Sequence, residues 1–195
     1  MTGAGFVRVE SERLVLRRFE DRDLAPLLAY RNDPEVARYQ GWESVSEREA
    51  RGMIRQLERE QPGTPAEWFQ FAVALKSADV LIGDCALKVE RGDARQAEVG
   101  YTLSRAYQGK GYASEAVSRL LDYAFGEMGL HRVVAITDQR NEPSYRLLER
   151  LGLRREGSFV RNAWFKGEWT SEYLYAVLGE EWPRKRDGKQ RAGTP

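Results

Sequence analysis

Two glycines set one residue apart, Gly109 and Gly111, stand where one kind of periodicity gives way to another. Before them, Ala97-Glu98-Val99-Gly100-Tyr101-Thr102-Leu103 alternates apolar and polar residues and reads as a strand. After them, Glu115 to Phe125 repeats its apolar residues at three and four and reads as a helix. A glycine pair at a helix start combines unpaired N–H groups, the positive end of the helix dipole and a backbone that nothing shields. That combination suits a phosphate. The stretch Gln108 to Ser114 is therefore expected to carry a pyrophosphate-bearing ligand, the alternative being a plain tight turn.

Two familiar nucleotide motifs do not fit. A P-loop needs Ser or Thr after Gly-Lys, and Lys110 is followed by Gly111. A dinucleotide fold needs a third glycine where Ser114 stands, and a turn that follows its strand directly; here Ser104 to Gln108 intervene. The net charge of +1 over 195 residues gives no global field to recruit nucleic acid or an acidic membrane. A single Cys85 excludes an intrachain disulfide, and a single His131 leaves too few residues for a His/Cys metal site, so no metal is expected. No apolar run approaches membrane-spanning length and the first residues lack a signal-peptide core, which makes a soluble cytoplasmic protein the expectation.

Read in order, the chain predicts a strand over 13–19 and a helix with Leu24, Leu27 and Leu28 on one face, broken at Asn32-Asp33-Pro34. A second helix opens at Ser46 with Glu49 in capping-box spacing and runs to about Glu60. Strands follow over 68–75, 80–89 and 97–103, then the glycine loop and its helix, ended by Gly129. Arg132 to Thr137 is a fifth strand, which a helical crossover makes the parallel neighbour of the fourth. A helix from Asn141 to Leu151 is stopped by Gly152, and two strands over 154–165 and 169–178 close the domain. The layout is α/β with a mixed sheet in one domain over 1–182. Residues 183–195, with Arg184, Lys185, Arg186, Lys189 and Arg191, read as a basic disordered tail.

The arrangement Gln108-x-x-Gly111-x-Ala113 resembles the acyl-CoA pyrophosphate loop of the GNAT N-acetyltransferase superfamily. Asn141-x-x-Ser144 with Leu147, Leu148, Glu149 and Leu151-Gly152-Leu153 is similar to the family's later helix and turn. The ending Tyr173 to Leu178 before Glu181-Trp182 resembles the RimJ/RimL-like branch that acetylates ribosomal-protein N-termini. The resemblance spans roughly residues 13 to 180. It implies a mostly antiparallel central sheet with splayed parallel strands 4 and 5, flanking helices, and acetyl-CoA as cosubstrate. It further implies that Tyr101, Thr102 and Leu103 offer backbone hydrogen bonds to the pantetheine arm. By the same resemblance Gln108, Gly109, Lys110, Gly111, Tyr112, Ala113 and Ser114 hold the pyrophosphate, and Asn141 and Ser144 touch the cofactor. Homodimers are common among similar proteins.

Acetyl transfer to an amine needs a neutral amine, a polarised thioester and a leaving thiolate, and no protein nucleophile if the amine attacks in place. Glu98, just before the cofactor loop, is the candidate base; its alternative is a solvent-facing or salt-bridged carboxylate, and Asp84 and Glu172 are rivals. Many family members carry a tyrosine acid where this chain has Leu148, so Ser144 or Tyr145 is the candidate donor to sulfur. An α-amine of pKa ~7.7–8.0 is roughly one-tenth neutral at pH 7, whereas a lysine amine near ~10.4 is almost wholly protonated. Lack of a nearby histidine thus favours a protein α-amine over a lysine side chain. The alternatives are a small amine such as an antibiotic or polyamine, and an acyl-CoA-binding sensor without turnover. Tyr39, Trp42, Trp68, Phe69 and Trp164 are expected to line the acceptor cleft or to pack in the core.

Overall fold

The order of the sheet follows from one connection. Parallel neighbours need a long crossover, and among the described residues one helix, between the strands Gln96–Leu103 and Arg132–Asp138, supplies it. The longer three-helix connection from Leu14–Arg17 to Trp68–Leu75 returns the chain antiparallel. The computed structural model describes Phe6 and residues 8–182; the basic tail lies outside the described residues. Its strands are β1 (Arg8–Glu10), β2 (Leu14–Arg17), β3 (Trp68–Leu75), β4 (Leu81–Val89), β5 (Gln96–Leu103), β6 (Arg132–Asp138), β7 (Arg154–Phe165) and β8 (Glu168–Leu178). They form one sheet in the order β1-β2-β3-β4-β5-β6-β8-β7. Only β5 and β6 pair in parallel, through the crossover helix α4 (Tyr112–Gly126), once α1 (Leu24–Arg31), α2 (Pro34–Ala37) and α3 (Glu47–Leu57) have been placed; α5 (Glu142–Arg150) follows β6.

The strands expected as fourth and fifth are β5 and β6, because β1 precedes them; at three residues it is too short to show a period. Their pairing is brief. Gln96, Ala97 and Glu98 face Arg132, Val133 and Val134, and beyond Glu98 the two strands part. The break expected at Asn32-Asp33-Pro34 ends α1 at Arg31, and Pro34 then opens the separate helix α2, where its missing N–H costs nothing and Asp33 caps by accepting from the Glu35 N–H at 3.0 Å. The Ser46–Glu49 capping box forms in both directions and opens α3. Gly152, at φ +88°, ends α5 with the paired bonds from the Leu153 N–H to the Leu148 carbonyl and from the Gly152 N–H to the Glu149 carbonyl.

Alternation along β3 separates the two faces of the sheet. Phe71 meets Tyr123 of α4 at a ring distance of 5.9 Å. Its neighbour Ala72 is in register with Asp84, which accepts from the hydroxyl of Tyr30 on α1. So α4 covers one face and α1 the other. On the α4 face Ala116, Val117, Leu120, Leu121 and Ala124 recur at three and four and are buried against Leu14, Leu16, Phe69 and Phe71. Phe69 is therefore core, not cleft. On the α1 face Arg31, 6% exposed, stacks under Trp42 and reaches Gln70 and Asp84, so Asp84 serves this buried network rather than an open site. Trp182 donates from its indole to Asp122 and packs on Phe125, which pins the chain after β8 to α4.

Candidate active site

The parting of β5 and β6 opens a cleft of about 1210 Å³. Its walls come from both faces of the sheet. Tyr101, Leu103, Thr137, Asn141 and Ser144 contribute from the α4 and α5 side, and Gly100, Thr102, Ile136, Thr170 and Glu172 from the α1 side. The opening thus passes through the sheet.

Backbone direction follows from which groups the carbonyls meet. The Ser104 N–H donates to the Ile82 carbonyl of β4 at 2.8 Å. The Tyr101 carbonyl accepts from Gln40 Nε2 at 3.4 Å and the Leu103 carbonyl from Gln108 Nε2 at 2.8 Å, neither of them on β4. In an extended strand a residue's N–H and C=O point the same way. The N–H groups of Tyr101 and Leu103 therefore point into the gap, and that of Thr102, between them, points to β4.

A single 3₁₀ turn, Arg105–Tyr107, carries the chain from β5 to the glycine loop. Gly109 and Gly111 sit at φ +72° and +81°, a region that costs any side-chain-bearing residue. Gly111 is the N-cap of α4 and so brings no capping side chain. Among the described residues no group accepts from the N–H groups of Gly109 to Ser114. Arg13 fixes the loop from behind. Its Nη1 donates to the Lys110 carbonyl at 3.1 Å, and its Nε and backbone N–H bind Glu115 at 2.6 and 2.7 Å. Burial alone would raise the Glu115 carboxyl, but these donors and the Ser11 hydroxyl hold it below the ordinary range. The Lys110 amine turns back to the Ala106 carbonyl and Tyr112 stacks under Arg13, so neither side chain enters the cleft.

Asn141 stands at the N-cap of α5 without capping it by its side chain, and lines the cleft. Tyr101 Oη lies 2.8 Å from Ser144 Oγ and 3.1 Å from the Ser144 carbonyl, and its one proton can go to either. Burial pushes the Tyr101 phenol well above its ordinary value, so it keeps its proton at neutral pH. The family resemblance implies only a backbone role for Tyr101; its ring is on the same strand face as Val99 and Leu103, as the alternation along β5 indicates. Tyr145 packs edge-on against Tyr173, outside the cleft, and Leu148 is buried.

Glu98 is not in this group. It is directly across from Lys88 in the β4–β5 register and bonds the Lys88 amine at 2.7 Å, and it does not line the cleft. Glu172 does line it and accepts from Asn162 Nδ2. Of the aromatics expected there, Tyr39 lines the cleft, joined by Phe165. Trp42 packs on Arg31, Trp68 on the Lys88 amine, and Trp164 on Trp169 near the β7–β8 turn. That turn, Lys166-Gly167, has both residues at positive φ, and the Lys166 amine donates to the carbonyls of Ala37 and Trp42 at 2.7 and 2.8 Å. Phe165, the residue before the turn, lines the cleft. No group of three or more His, Cys, Asp or Glu residues among the described residues is placed to hold a metal, and no described helix is long and apolar enough to cross a membrane.

Comparison with known proteins bears on this geometry. Residues 13–154 match the family model described as an acetyltransferase (GNAT) domain. The uncharacterized N-acetyltransferase YnaD of Bacillus subtilis is 36% identical over 90% of this chain and 99% of its own. The [ribosomal protein uS5]-alanine N-acetyltransferase of Escherichia coli is 28% identical over 90% and 93%. Among solved structures, a GNAT-family acetyltransferase from Bacillus anthracis superposes with a TM-score of 0.80 at 34% identity, covering 90% of this chain and all of that one. A sheet that splays after Glu98, a glycine loop at the helix start and these matches agree: the chain belongs to the GNAT acetyltransferase family and is an N-acetyltransferase.

Proposed function

We propose that this enzyme transfers an acetyl group from acetyl-CoA directly to a protein N-terminal α-amine. The observation that carries the cosubstrate is the run of N–H groups from Gly109 to Ser114 with no acceptor among the described residues. Six dipoles at a helix start match the oxygens of a pyrophosphate. Arg150, on α5, is the one cleft-lining cation without a carboxylate within 4.0 Å among the described residues, and it suits a further phosphate.

With the pyrophosphate on that loop, the pantetheine arm runs along β5, where the Tyr101 and Leu103 N–H groups meet its amide and the thioester oxygen. Donors held by a strand polarise the carbonyl without reorganising. Asn141, whose amide both donates and accepts, holds the arm from the β6 side. At the sulfur, Ser144 is the proton donor. A phenol has one proton; when Tyr101 gives it to Ser144 Oγ, the serine hydroxyl is free to turn its own proton outward. The acceptor enters from the α1 face, between Tyr39 and Phe165. An α-amine is favoured because it needs little help to lose its proton, and the similarity to a uS5-alanine acetyltransferase supports the same choice.

The test is acetyl transfer from acetyl-CoA to an alanine-led peptide, followed by mass spectrometry. A single acetyl on the peptide α-amine is expected. Acetylation confined to a lysine side chain or to small amines would overturn the acceptor assignment.

A further inference from the structure

We propose that Glu172 is the catalytic carboxylate that receives the acceptor amine and takes its proton, and that it selects acceptors with a single cationic amine. The proposal rests on the acetyl-transfer reading above. Four carboxylates line the cleft, and three already have a cation: Glu35 with Arg38 at 4.0 Å, Asp138 with Arg140 at 2.7 Å, and Glu142 with Arg146 at 2.6 Å. Glu172 is the exception. Among the described residues its side chain accepts only from the neutral amide of Asn162. A partly buried carboxylate without a counter-charge is costly, and a bound ammonium removes that cost.

Its position fits the role. Glu172 is in register with Asp138 on β6, and side chains of both project on the α1 face, opposite the helices that carry the glycine loop and Ser144. An amine held there approaches the gap from the side away from the cofactor phosphates. The backbone around it is built for one orientation. β7 bulges between Phe159 and Ala163, Arg161 takes φ +50°, and its N–H donates to Ser171 Oγ at 2.9 Å. The bulge turns Asn162 toward the Glu172 carboxylate. Ile136 and Phe165, both lining the cleft, offer apolar contact for the carbon next to the amine. One unpaired carboxylate answers one ammonium, so a small apolar N-terminal residue fits and a polycation does not.

The chemistry balances. The ammonium gives one proton to Glu172, and the neutral nitrogen attacks the thioester carbon. The C–N bond forms as the C–S bond breaks, and the sulfur leaves as a thiol with the proton from Ser144. The nitrogen's second proton restores Ser144 through water, the third stays in the amide, and Glu172 releases its proton to solvent. One proton is freed per turnover.

Glu172→Gln keeps the shape and removes the charge. With an alanine-led peptide, kcat/KM is expected to fall by about a hundredfold at pH 7. The loss should shrink as pH rises past ~8, where the α-amine arrives neutral. The charged groups near Glu172 are Asp138 and Arg140 from β6 and its following turn, Arg38 from the α2 end, and Glu168 at the start of β8; Asp138 is held low, first against burial, by Arg140. Acetyl-CoA affinity, read by calorimetry, should not change, and Glu172→Asp should recover part of the rate. A loss of equal size at every pH, or activity within about twofold of wild type, would overturn the proposal alone. Acetyl-CoA binding with no turnover of the peptide would overturn the acceptor reading and this proposal together.

Discussion

Tyr101 Oη and Ser144 Oγ lie 2.8 Å apart, joining the middle of β5 to the first turn of α5 across the gap where β5 and β6 separate. The contact sets the distance between the two walls of the cleft and aims the serine hydroxyl. Tyr101→Phe should lower kcat by about ten- to a hundredfold, less than the ~10²–10⁴ that a positioned acid itself contributes because Tyr101 acts through Ser144, with acetyl-CoA affinity little changed. Steady-state kinetics beside calorimetry checks this. A variant that loses only cofactor affinity would make the tyrosine a wall rather than part of the proton path.

Gly111→Val should weaken acetyl-CoA binding by at least about tenfold, or ~1.4 kcal/mol. A β-branched residue resists φ +81°, and its side chain would crowd the N–H groups beside it. A built Cβ meets only Arg13 Nη2, at 3.4 Å, so the domain should still fold, with about 1–3 kcal/mol of strain. Calorimetry and thermal melting separate the two effects.

Glu115 ties the glycine loop to β2, and its folded-state pKa is depressed although burial works against it. A depressed carboxyl contributes stability above its unfolded pKa of ~4.3 and loses it as pH falls through the lower folded value. Wild type should therefore exceed Glu115→Gln in stability at pH 7, and the two should converge only below about pH 4. Denaturant titrations at several pH values check the sign. Convergence at neutral pH would mean that the pair contributes nothing.

Lys166→Ala removes the two hydrogen bonds that hold the β7–β8 turn to the end of α2 and to the loop after it. KM for the peptide should rise by roughly fivefold, about one hydrogen bond's worth, with acetyl-CoA affinity unchanged. An equal loss for both substrates would show that the turn supports the whole fold.

Glu98→Gln should cost less rate than Glu172→Gln, by about tenfold or more at pH 7. The variant unbalances Lys88 but leaves the cleft lining intact. Reversal of that order would return the base to Glu98.

How far the sequence reached depends on the range of the contact involved. The glycine loop was legible because a tight turn into a helix start is a local demand that Gly109 and Gly111, at positive φ, meet at least cost. The β5–β6 pair was legible because a single helix between two strands supplies the crossover that parallel neighbours need. A salt-bridged Glu98 stands among the readings the sequence allows, yet nothing local shows that the β4–β5 register sets Lys88 against it. Phe69 and Tyr39 look alike as aromatic residues; only the packing of α4 sends the first to the core. The Tyr101 to Ser144 contact spans 43 residues and the Lys166 to Ala37 contact 129, distances over which periodicity carries no information. The β7 bulge that presents Asn162 to Glu172 has no repeating signature at all.

The central claim is that the N–H groups from Gly109 to Ser114 bind the pyrophosphate of acetyl-CoA. Calorimetric titration of the full chain with acetyl-CoA, beside NAD and ATP, tests it most directly. Micromolar binding of acetyl-CoA by wild type, weakened by Gly111→Val and absent for the other two ligands, is the predicted result. Equal binding of all three, or an affinity that Gly111→Val leaves unaltered, would contradict it.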